Sequence, residues 1–405
     1  MATTQERPAE LARLARELGA LEAAGLLRHR RTLSSAQGAR VVVDGVPLLS
    51  FCSNDYLGLA ADPVLAQALV EGVARHGVGA GASHLLTGHT LAHTELEAAL
   101  ARWCGLPAAL LFSSGYMANL GVAGALLGRG DVMFADRLNH ACLNDGALLA
   151  RARLVRYAHA DASSLARALE RTPARRRLIA TDAVFSMDGD LAPLRELLGL
   201  AERHDAWLMV DDAHGFGVLG DGRGSLAELG LDPRRCAQRV IYMGTLGKAA
   251  GVAGAFVAGA PELVDWLVQK ARTSVYTTAS PPALAVALAA SLERIAAGQD
   301  LRARLAESIA RLRVGLAALP AGRLAGSSTA IQPLIVGESV EAVRWSEALA
   351  ARGLLVPAIR PPTGPVGTAR LRISLSAAHG PHDIDRLVTA LHEVATERAG
   401  LAAAR

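Results

Sequence analysis

The chain is poor in several things, and each shortage narrows what it can be. Its four cysteines, Cys52, Cys104, Cys142 and Cys236, form no CxxC pair. That fits free thiols in a reducing compartment, with no disulfide framework and no zinc knuckle. Aromatic residues make up 4% of the chain, and the densest basic patches, Arg28-His29-Arg30-Arg31 and Arg175-Arg176-Arg177, have none interleaved. They read as solvated faces, and no nucleic-acid partner is expected. Charged residues amount to 20%, with a formal net charge of +4, a balance that would also suit an anionic small substrate. The N-terminus has no apolar core of a secretory signal. The uncharged stretch from Trp103 to Gly128 carries Ser113, Ser114, Gly115 and Asn119 in its middle, so it reads as strand, turn and helix, not as a membrane span. The expectation is a soluble cytoplasmic protein.

What is present is hydrophobic patterning. At 51% hydrophobic over 405 residues, two or three domains are expected. Leu11, Leu14, Leu18 and Leu21 recur at helical spacing, and Asp44-Gly45 between two apolar runs predicts a hairpin. From residue 51, helical stretches alternate with short apolar runs: 109–112, 178–180, 207–210, 240–243 and 255–258. Runs apolar at every position are buried on both faces, as in a mostly parallel central sheet flanked by helices. A second rhythm follows: a helix over 301–319, a strand at 331–336, a helix near 340–352, a strand at 371–375 and a helix from Pro381. The expected division is an N-terminal segment (1–50), a large α/β domain (51–290) and an α+β C-terminal domain (291–405).

Four places could carry chemistry. Lys248, in Gly244-Thr245-Leu246-Gly247-Lys248-Ala249-Ala250-Gly251 after the run at 240–243, has small neighbours and little room for hydration. Burial there would free its amine as a nucleophile, which is what a Schiff-base lysine needs; a surface lysine on a glycine turn is the plainer alternative. Ser113-Ser114-Gly115-Tyr116 opens a helix after a strand, which makes either an anion site or an ordinary N-cap. Asp211-Asp212-Ala213-His214 ends a buried strand, and adjacent aspartates point to opposite faces, so one alone can serve a given pocket. His89 and His93, with His76 and His84 nearby, have the spacing of metal ligands on one helix face. They lack the zincin glutamate and any evident third ligand, so no metal is expected. By sequence His140 stands alone and reads as structural. Gly215-Phe216-Gly217-Val218-Leu219-Gly220 matches a dinucleotide fingerprint but is followed by Asp221-Gly222-Arg223-Gly224, not by a helix. Gly247-Lys248 lacks the earlier glycine and the Ser/Thr of a P-loop.

A phosphate turn, a strand-end aspartate and a later strand-end lysine are the parts that hold pyridoxal 5′-phosphate. The chain resembles the α-oxoamine synthase family of fold-type I pyridoxal-phosphate-dependent transferases. The resemblance rests on Ser53-Asn54-Asp55-Tyr56-Leu57-Gly58-Leu59, Phe185-Ser186-Met187-Asp188-Gly189-Asp190, Asp211-Asp212-Ala213-His214-Gly215 and Gly244-Thr245-Leu246-Gly247-Lys248. Ala330-Ile331-Gln332-Pro333-Leu334-Ile335-Val336-Gly337 and Arg360-Pro361-Pro362-Thr363 point to the branch that condenses L-alanine with a pimeloyl thioester of CoA or acyl carrier protein in biotin synthesis. Relatives that condense glycine or serine are the alternative within the family, and an NAD-dependent dehydrogenase the remote one.

The resemblance implies that Lys248 bonds the cofactor and later removes the α-proton of alanine. Asp211 would hold the ring nitrogen protonated, His214 would bond the ring hydroxyl and His140 would stack on the ring. Gly115, Tyr116 and Ser186 would line the cofactor site, and Thr245 would bond the phosphate. Thr277 and Thr278 would reach the phosphate of the partner subunit in a homodimer with shared sites. Arg372 would bind the alanine carboxylate, Arg28 would meet the acyl donor, and Asn54 and Thr363 would line the substrate site beside His140. Asp182, where relatives often have Glu, and Ala80 and Ala82, in a stretch usually rich in Ser and Gly, depart from the family pattern.

Overall fold

Asp44 (φ 51°) and Gly45 (φ 80°) adopt the left-handed backbone that a two-residue hairpin turn requires. Strands β1 (Arg40–Val43) and β2 (Val46–Ser50) therefore pair antiparallel, with Arg40 opposite Leu49. The structure, a computed structural model, describes residues 8–24, 26–319, 322–361 and 367–403. Ahead of the hairpin, the helix Ala9–Ala23 carries the expected leucine stripe but buries none of it: Leu11, Leu14, Leu18 and Leu21 are 42–53% exposed. An amphipathic face with nothing of its own chain against it needs another surface.

Seven strands form the central sheet: β3 (Ala108–Phe112), β4 (Val132–Asp136), β5 (Arg153–Tyr157), β6 (Arg177–Asp182), β7 (Trp207–Asp211), β8 (Val240–Thr245) and β9 (Ala255–Gly259). Their order is β3-β9-β8-β7-β6-β4-β5. Neighbours from β5 to β8 are parallel, whereas β9 runs antiparallel to both β8 and β3. The reversal follows from chain length. Only residues 246–254 join β8 to β9, too few for the dozen or more that a parallel crossover needs. The chain must turn back at once, and Lys248 lies on that return. Alternation along the strands divides the core. Met133, Leu178, Met209 and Ile241 pack in one layer, while their successors Phe134, Ile179, Val210 and Tyr242 pack in the other. Each such side chain contributes about 1.5–3 kcal/mol through burial. β5 did not stand out in sequence because it is an edge strand with two exposed arginines.

A second sheet, β10-β11-β14-β13, is antiparallel and comprises β10 (Arg323–Leu324), β11 (Ile331–Gly337), β13 (Ala358–Ile359) and β14 (Ala369–Ser374). Between them in sequence, β12 (Leu354–Leu355) pairs parallel with β2, tying the N-terminal hairpin to the C-terminal half. The helices Gln299–Gly315, Ser339–Ala351 and Pro381–Ala403 complete this half; the first ends four residues earlier than its periodicity predicts. One buried cluster runs unbroken from Leu49 and Phe51 through Ile179 to Trp345, Leu371 and Leu387.

The 185–190 segment is fixed between the two sheets. Arg370 of β14 pairs with Asp188. The Gly189 carbonyl accepts from Ser327 Oγ at 2.9 Å and Thr329 Oγ1 at 3.0 Å. His159 bridges Asp136 of β4 (3.0 Å) and Asp190 (2.7 Å), and these two carboxylates, Asp136 first, push its pKa up to about 10. A raised histidine pKa contributes stability that is fully present below the ordinary value near 6.5 and is lost as pH rises through 10. His159→Asn is therefore expected to lower unfolding stability by about 2 kcal/mol near pH 6. In urea titrations the gap from the unaltered chain should close between pH 6.5 and 10. A gap constant over that range would show that His159 is not held as a cation.

Candidate active site

The C-terminal ends of β6, β7 and β8 deliver the site. Asp182 and Asp211 end their strands side by side, in register. Asp211 accepts from Asn119 Nδ2 at 2.6 Å and from the Ala213 amide at 3.1 Å. No cation among the described residues lies within ion-pair distance of it. Asp212 points the other way, as alternation requires, and is taken up by the Ser225 amide (2.6 Å), Ser225 Oγ (2.5 Å) and Tyr242 Oη (2.8 Å). Asp212 is thus structural, and burial raises its pKa to about 6. Burial, and then the charge of Asp211, push Asp182 well above the ordinary carboxylate range. Both its oxygens accept from the His140 amide at 3.2 Å.

Lys248 is partly buried on the return between β8 and β9. Desolvation lowers its pKa, opposed by Asp211 and Asp182 and assisted by Arg372. The turn is closed by Gly251 N–H to Lys248 C=O at 2.9 Å. Gly251 has φ +71°, and a β-carbon there would lie 2.5 Å from the Leu59 carbonyl carbon; only glycine lets the lysine loop sit against the 53–59 segment. Lys248 Nζ lies 3.0 Å from His214 Nε2, and His214 Nδ1 lies 2.5 Å from Tyr56 Oη. Tyr56 Oη is also 3.1 Å from Asn54 Oδ1. Arg372 reaches that same oxygen with Nη1 and Nη2, each at 3.3 Å. Its Nε donates to the Ser186 carbonyl at 2.6 Å and its Nη1 to Ser374 Oγ at 2.7 Å. Arg372 is 6% exposed, yet all these acceptors are neutral. A buried guanidinium without a carboxylate is costly, and its natural complement is an anion from outside the chain.

At the other rim, the helix Gly115–Leu126 starts on Ser114, whose Oγ accepts from the Met117 amide at 3.3 Å. Ser114 is thus a true N-cap, and the Gly115 and Tyr116 amides have no partner within the helix. The N-cap reading of the Ser-Ser-Gly turn holds, and the free amides leave the anion reading open to it. Tyr116 is half exposed and donates to Asp145 Oδ2 at 2.7 Å. His140 caps the helix Ala141–Leu149: its Nδ1 accepts from the Cys142 amide at 3.3 Å, which leaves the proton on Nε2 and the ring exposed. Thr245 Oγ1 donates its one proton to the Gly254 carbonyl at 3.2 Å, a long bond from which the hydroxyl would have to turn to meet a phosphate oxygen.

These residues fit pyridoxal 5′-phosphate. Unpaired helix-start amides suit its phosphate, a buried unpaired carboxylate suits its pyridinium, and the lysine amine lies in the electrostatic reach of that carboxylate. Asn119, Tyr56 and Ser374, which sequence reasoning left out, supply the bonds that hold these groups. Asn119 was legible as the residue one helical turn past Gly115.

Other expected residues lie apart. Arg28 is exposed beside a groove of about 630 Å³ formed by Leu18, Leu21, Leu27, Ala358, Ile359 and Arg360. Thr363 lies outside the described residues. Thr277 and Thr278 are on the surface, where Thr278 bridges to Ser83. The glycine motif at 215–220 leads only into a single short 3-10 turn, Gly220–Gly222, not into the long helix a dinucleotide fingerprint needs; Gly217 (φ +83°) is needed because a β-carbon would meet Ala249 Cβ at 2.9 Å. His84, His89 and His93 do converge, with ring nitrogens within 4.8 Å. However, His89 precedes the helix Leu91–Cys104 instead of sharing its face, because the helix is capped by Thr90. Both nitrogens of His93 are used, Nδ1 by the Thr90 amide (3.1 Å) and Nε2 by the Ser280 carbonyl (3.0 Å).

Asn119→Ala is expected to weaken pyridoxal phosphate binding to the apoprotein about tenfold, because the buried Asp211 carboxylate loses a charge-assisted bond. Absorbance titration would measure it; unchanged affinity would remove Asn119 from the site.

A family model described as Aminotransferase class I and II matches residues 46–391. An 8-amino-7-oxononanoate synthase of Aromatoleum aromaticum is 57% identical over 96% of this chain and 100% of its own length. One of Chromobacterium violaceum is 59% identical over 92% of this chain and 95% of its own. Among solved structures, a serine palmitoyltransferase of Sphingomonas wittichii superposes with TM-score 0.89 at 30% identity, covering 97% of this chain and 98% of that one. An 8-amino-7-oxononanoate synthase of Francisella tularensis gives 0.75 at 29%, covering 87% and 99%. A lysine-to-alanine variant of the serine palmitoyltransferase of S. paucimobilis with a bound PLP–myriocin aldimine has the same fold, at TM-score 0.89 and 29% identity over 98% of this chain and 100% of that one. The chain belongs to the class I and II aminotransferase family of fold-type I, pyridoxal 5′-phosphate-dependent enzymes, alongside the 8-amino-7-oxononanoate synthases.

Proposed function

We propose that this enzyme condenses L-alanine with a pimeloyl thioester, releasing CO₂ and free thiol and giving 8-amino-7-oxononanoate for biotin synthesis. The observation that carries the reading is Arg372, a buried guanidinium bonded only to neutral groups and linked through Asn54, Tyr56 and His214 to the Lys248 amine. An α-amino acid brings a carboxylate for the first and an α-proton for the second. Bound pyridoxal phosphate supplies an aldehyde for the amino group and a ring that draws in the electrons left when the α-proton departs.

The chain's residues do the rest. The Gly115 and Tyr116 amides would hold the phosphate, with Thr245 once its hydroxyl turns from the Gly254 carbonyl; Asp211 would keep a proton on the ring nitrogen, His214 would meet the ring hydroxyl and His140 would cover the ring, with Ser186 beside it. Arg372 holds the alanine carboxylate, and Lys248, whose hold on its proton burial weakens, takes the α-proton. The α-carbon attacks the acyl carbonyl, thiolate leaves, the carboxylate departs as CO₂, and a proton returns to the carbon. The acyl chain enters beside Arg28 and Thr363, with Asn54 and His140 on the substrate side; the carrier is CoA or acyl carrier protein.

We place the enzyme in the cytoplasm as a homodimer with shared sites. Leu86 and Tyr276 are 78% and 71% exposed beside Ser83 and Thr278, and the leucine face of the first helix is open. A second copy would cover such apolar surface and bring Thr277 and Thr278 to the partner's phosphate. The four cysteines are free, as a reducing compartment requires. Among the described residues no helix is long and apolar enough to cross a membrane. The 51–290 unit would hold the cofactor and the 291–405 unit would supply Arg372.

Lys248→Ala should abolish turnover and any borohydride-reducible cofactor adduct; an adduct on another lysine would defeat the assignment. Arg28→Ala should raise KM for the acyl donor at least tenfold, one lost charged contact, with alanine binding unchanged; collapse of alanine binding would refute that role. Product analysis with alanine, glycine and serine in competition tests the substrate, and preferential use of glycine or serine would overturn the choice of alanine.

A further inference from the structure

Tyr56 is 1% exposed, has a single proton, and stands between two acceptors. His214 Nδ1 is at 2.5 Å and Asn54 Oδ1 at 3.1 Å. Asn54 Oδ1 is already approached by two Arg372 N–H groups, and a carbonyl oxygen has two lone pairs. The crowded oxygen makes the long bond and the imidazole the short one. The Tyr56 proton therefore goes to His214 Nδ1, which leaves the imidazole proton on Nε2, pointing at Lys248 Nζ. Facing a donor, the amine is favoured in its neutral form. A carboxylate on Arg372 would draw the guanidinium N–H groups from Asn54 Oδ1. That oxygen would then become the better acceptor for Tyr56, and His214 would lose the bond that fixes its proton.

We propose that Tyr56 is a positioning residue that sets which nitrogen of His214 carries the proton, and thereby reports occupancy of the Arg372 carboxylate site to the Lys248 amine. The coupling rests on the reading of Arg372 given above; the tautomer control does not. Lys248 also faces Asp211, Asp182, Cys142 and Arg372, and His214 faces Arg372 and His140. Tyr56→Phe replaces none of these groups but also removes the tyrosine's own interaction with Arg372, which Asn54→Ala leaves in place, so the two variants together isolate the relay.

The sequence makes the measurement clean. It contains two lysines, Lys248 and Lys270, and Lys270 lies over the Trp266 ring at 5.5 Å, away from the site. The full-length apoprotein would be labelled with an amine-reactive reagent over a pH series, the two lysines resolved by peptide mass analysis, and Lys270 used as internal reference. In parallel, the holoenzyme's visible absorbance would be titrated with pH. The series would be run with and without propionate, a carboxylate with no amine. In Tyr56→Phe both Lys248 midpoints should rise by about one pH unit while that of Lys270 stays put. Propionate should raise the unaltered protein's midpoint, and by less in the variant. Asn54→Ala leaves Tyr56 one acceptor, so its midpoint should stay near the unaltered value and lose the propionate response.

An unmoved midpoint in a folded Tyr56→Phe protein would overturn the role of Tyr56 and leave the Arg372 reading standing. A propionate shift equal in all three proteins would overturn the coupling. No propionate shift in the unaltered protein would overturn the Arg372 reading and the coupling with it. If Tyr56→Phe does not fold, Asn54→Ala decides by itself: a retained propionate response refutes the relay.

Discussion

The site depends on charge held out of water at the C-terminal edge of the central sheet. Lys248, Arg372, Asp182 and Asp211 share one partly buried volume, and two cations and two carboxylates there cannot all be charged and unpaired without large cost. The structure resolves the conflict by unequal treatment. Burial and Asp211 both disfavour the anion of Asp182. Lys248 loses affinity for its proton because burial and Arg372 outweigh the carboxylates. Asp211 and Arg372 are each hydrogen-bonded only to neutral partners. The cofactor ring and the amino-acid carboxylate are the complements that these two groups lack.

The fold sets that volume by chain length as much as by packing. The short 246–254 return makes β9 antiparallel, and the same brevity holds Lys248 at the strand end where the parallel strands also deliver Asp182 and Asp211. From the second sheet, β14 reaches back through Arg370 to Asp188 and through Arg372 to Ser186. The 185–190 segment is therefore both a wall of the site and the joint between the two halves of the chain.

Much of this was legible in sequence, for a physical reason. Strands buried on both faces must be apolar throughout, so the polar residues just past their ends stand out, as Asp211, His214 and Lys248 do. The hairpin followed from Asp44-Gly45, and the opposed faces of Asp211 and Asp212 from the pleat. The residues that were missed act through others. Tyr56 follows a polar run and Asn119 sits among apolar residues, and both acquire meaning only when His214 and Asp211 arrive from 158 and 92 positions away. β5 was hidden because an edge strand tolerates charge. His89 and His93 kept their spacing, but the cap at Thr90 falls between them, so one helix face never held both. The leucines of the first helix were recognised as a stripe, but a single chain gives them nothing to pack on.

The basic residues also bear on the chemistry. With two lysines, nearly all of the 42 basic side chains are arginines. Arginine stays protonated in proteins and offers no free amine, whereas a desolvated lysine does. An aldehyde entering this molecule therefore meets one lysine whose surroundings weaken its hold on a proton and one, Lys270, whose side chain rests against an indole face. Selectivity for Lys248 needs no elaborate exclusion of rivals. It follows from placing a single amine where water cannot hold its charge, while the guanidinium of Arg372 provides the lasting positive charge beside it.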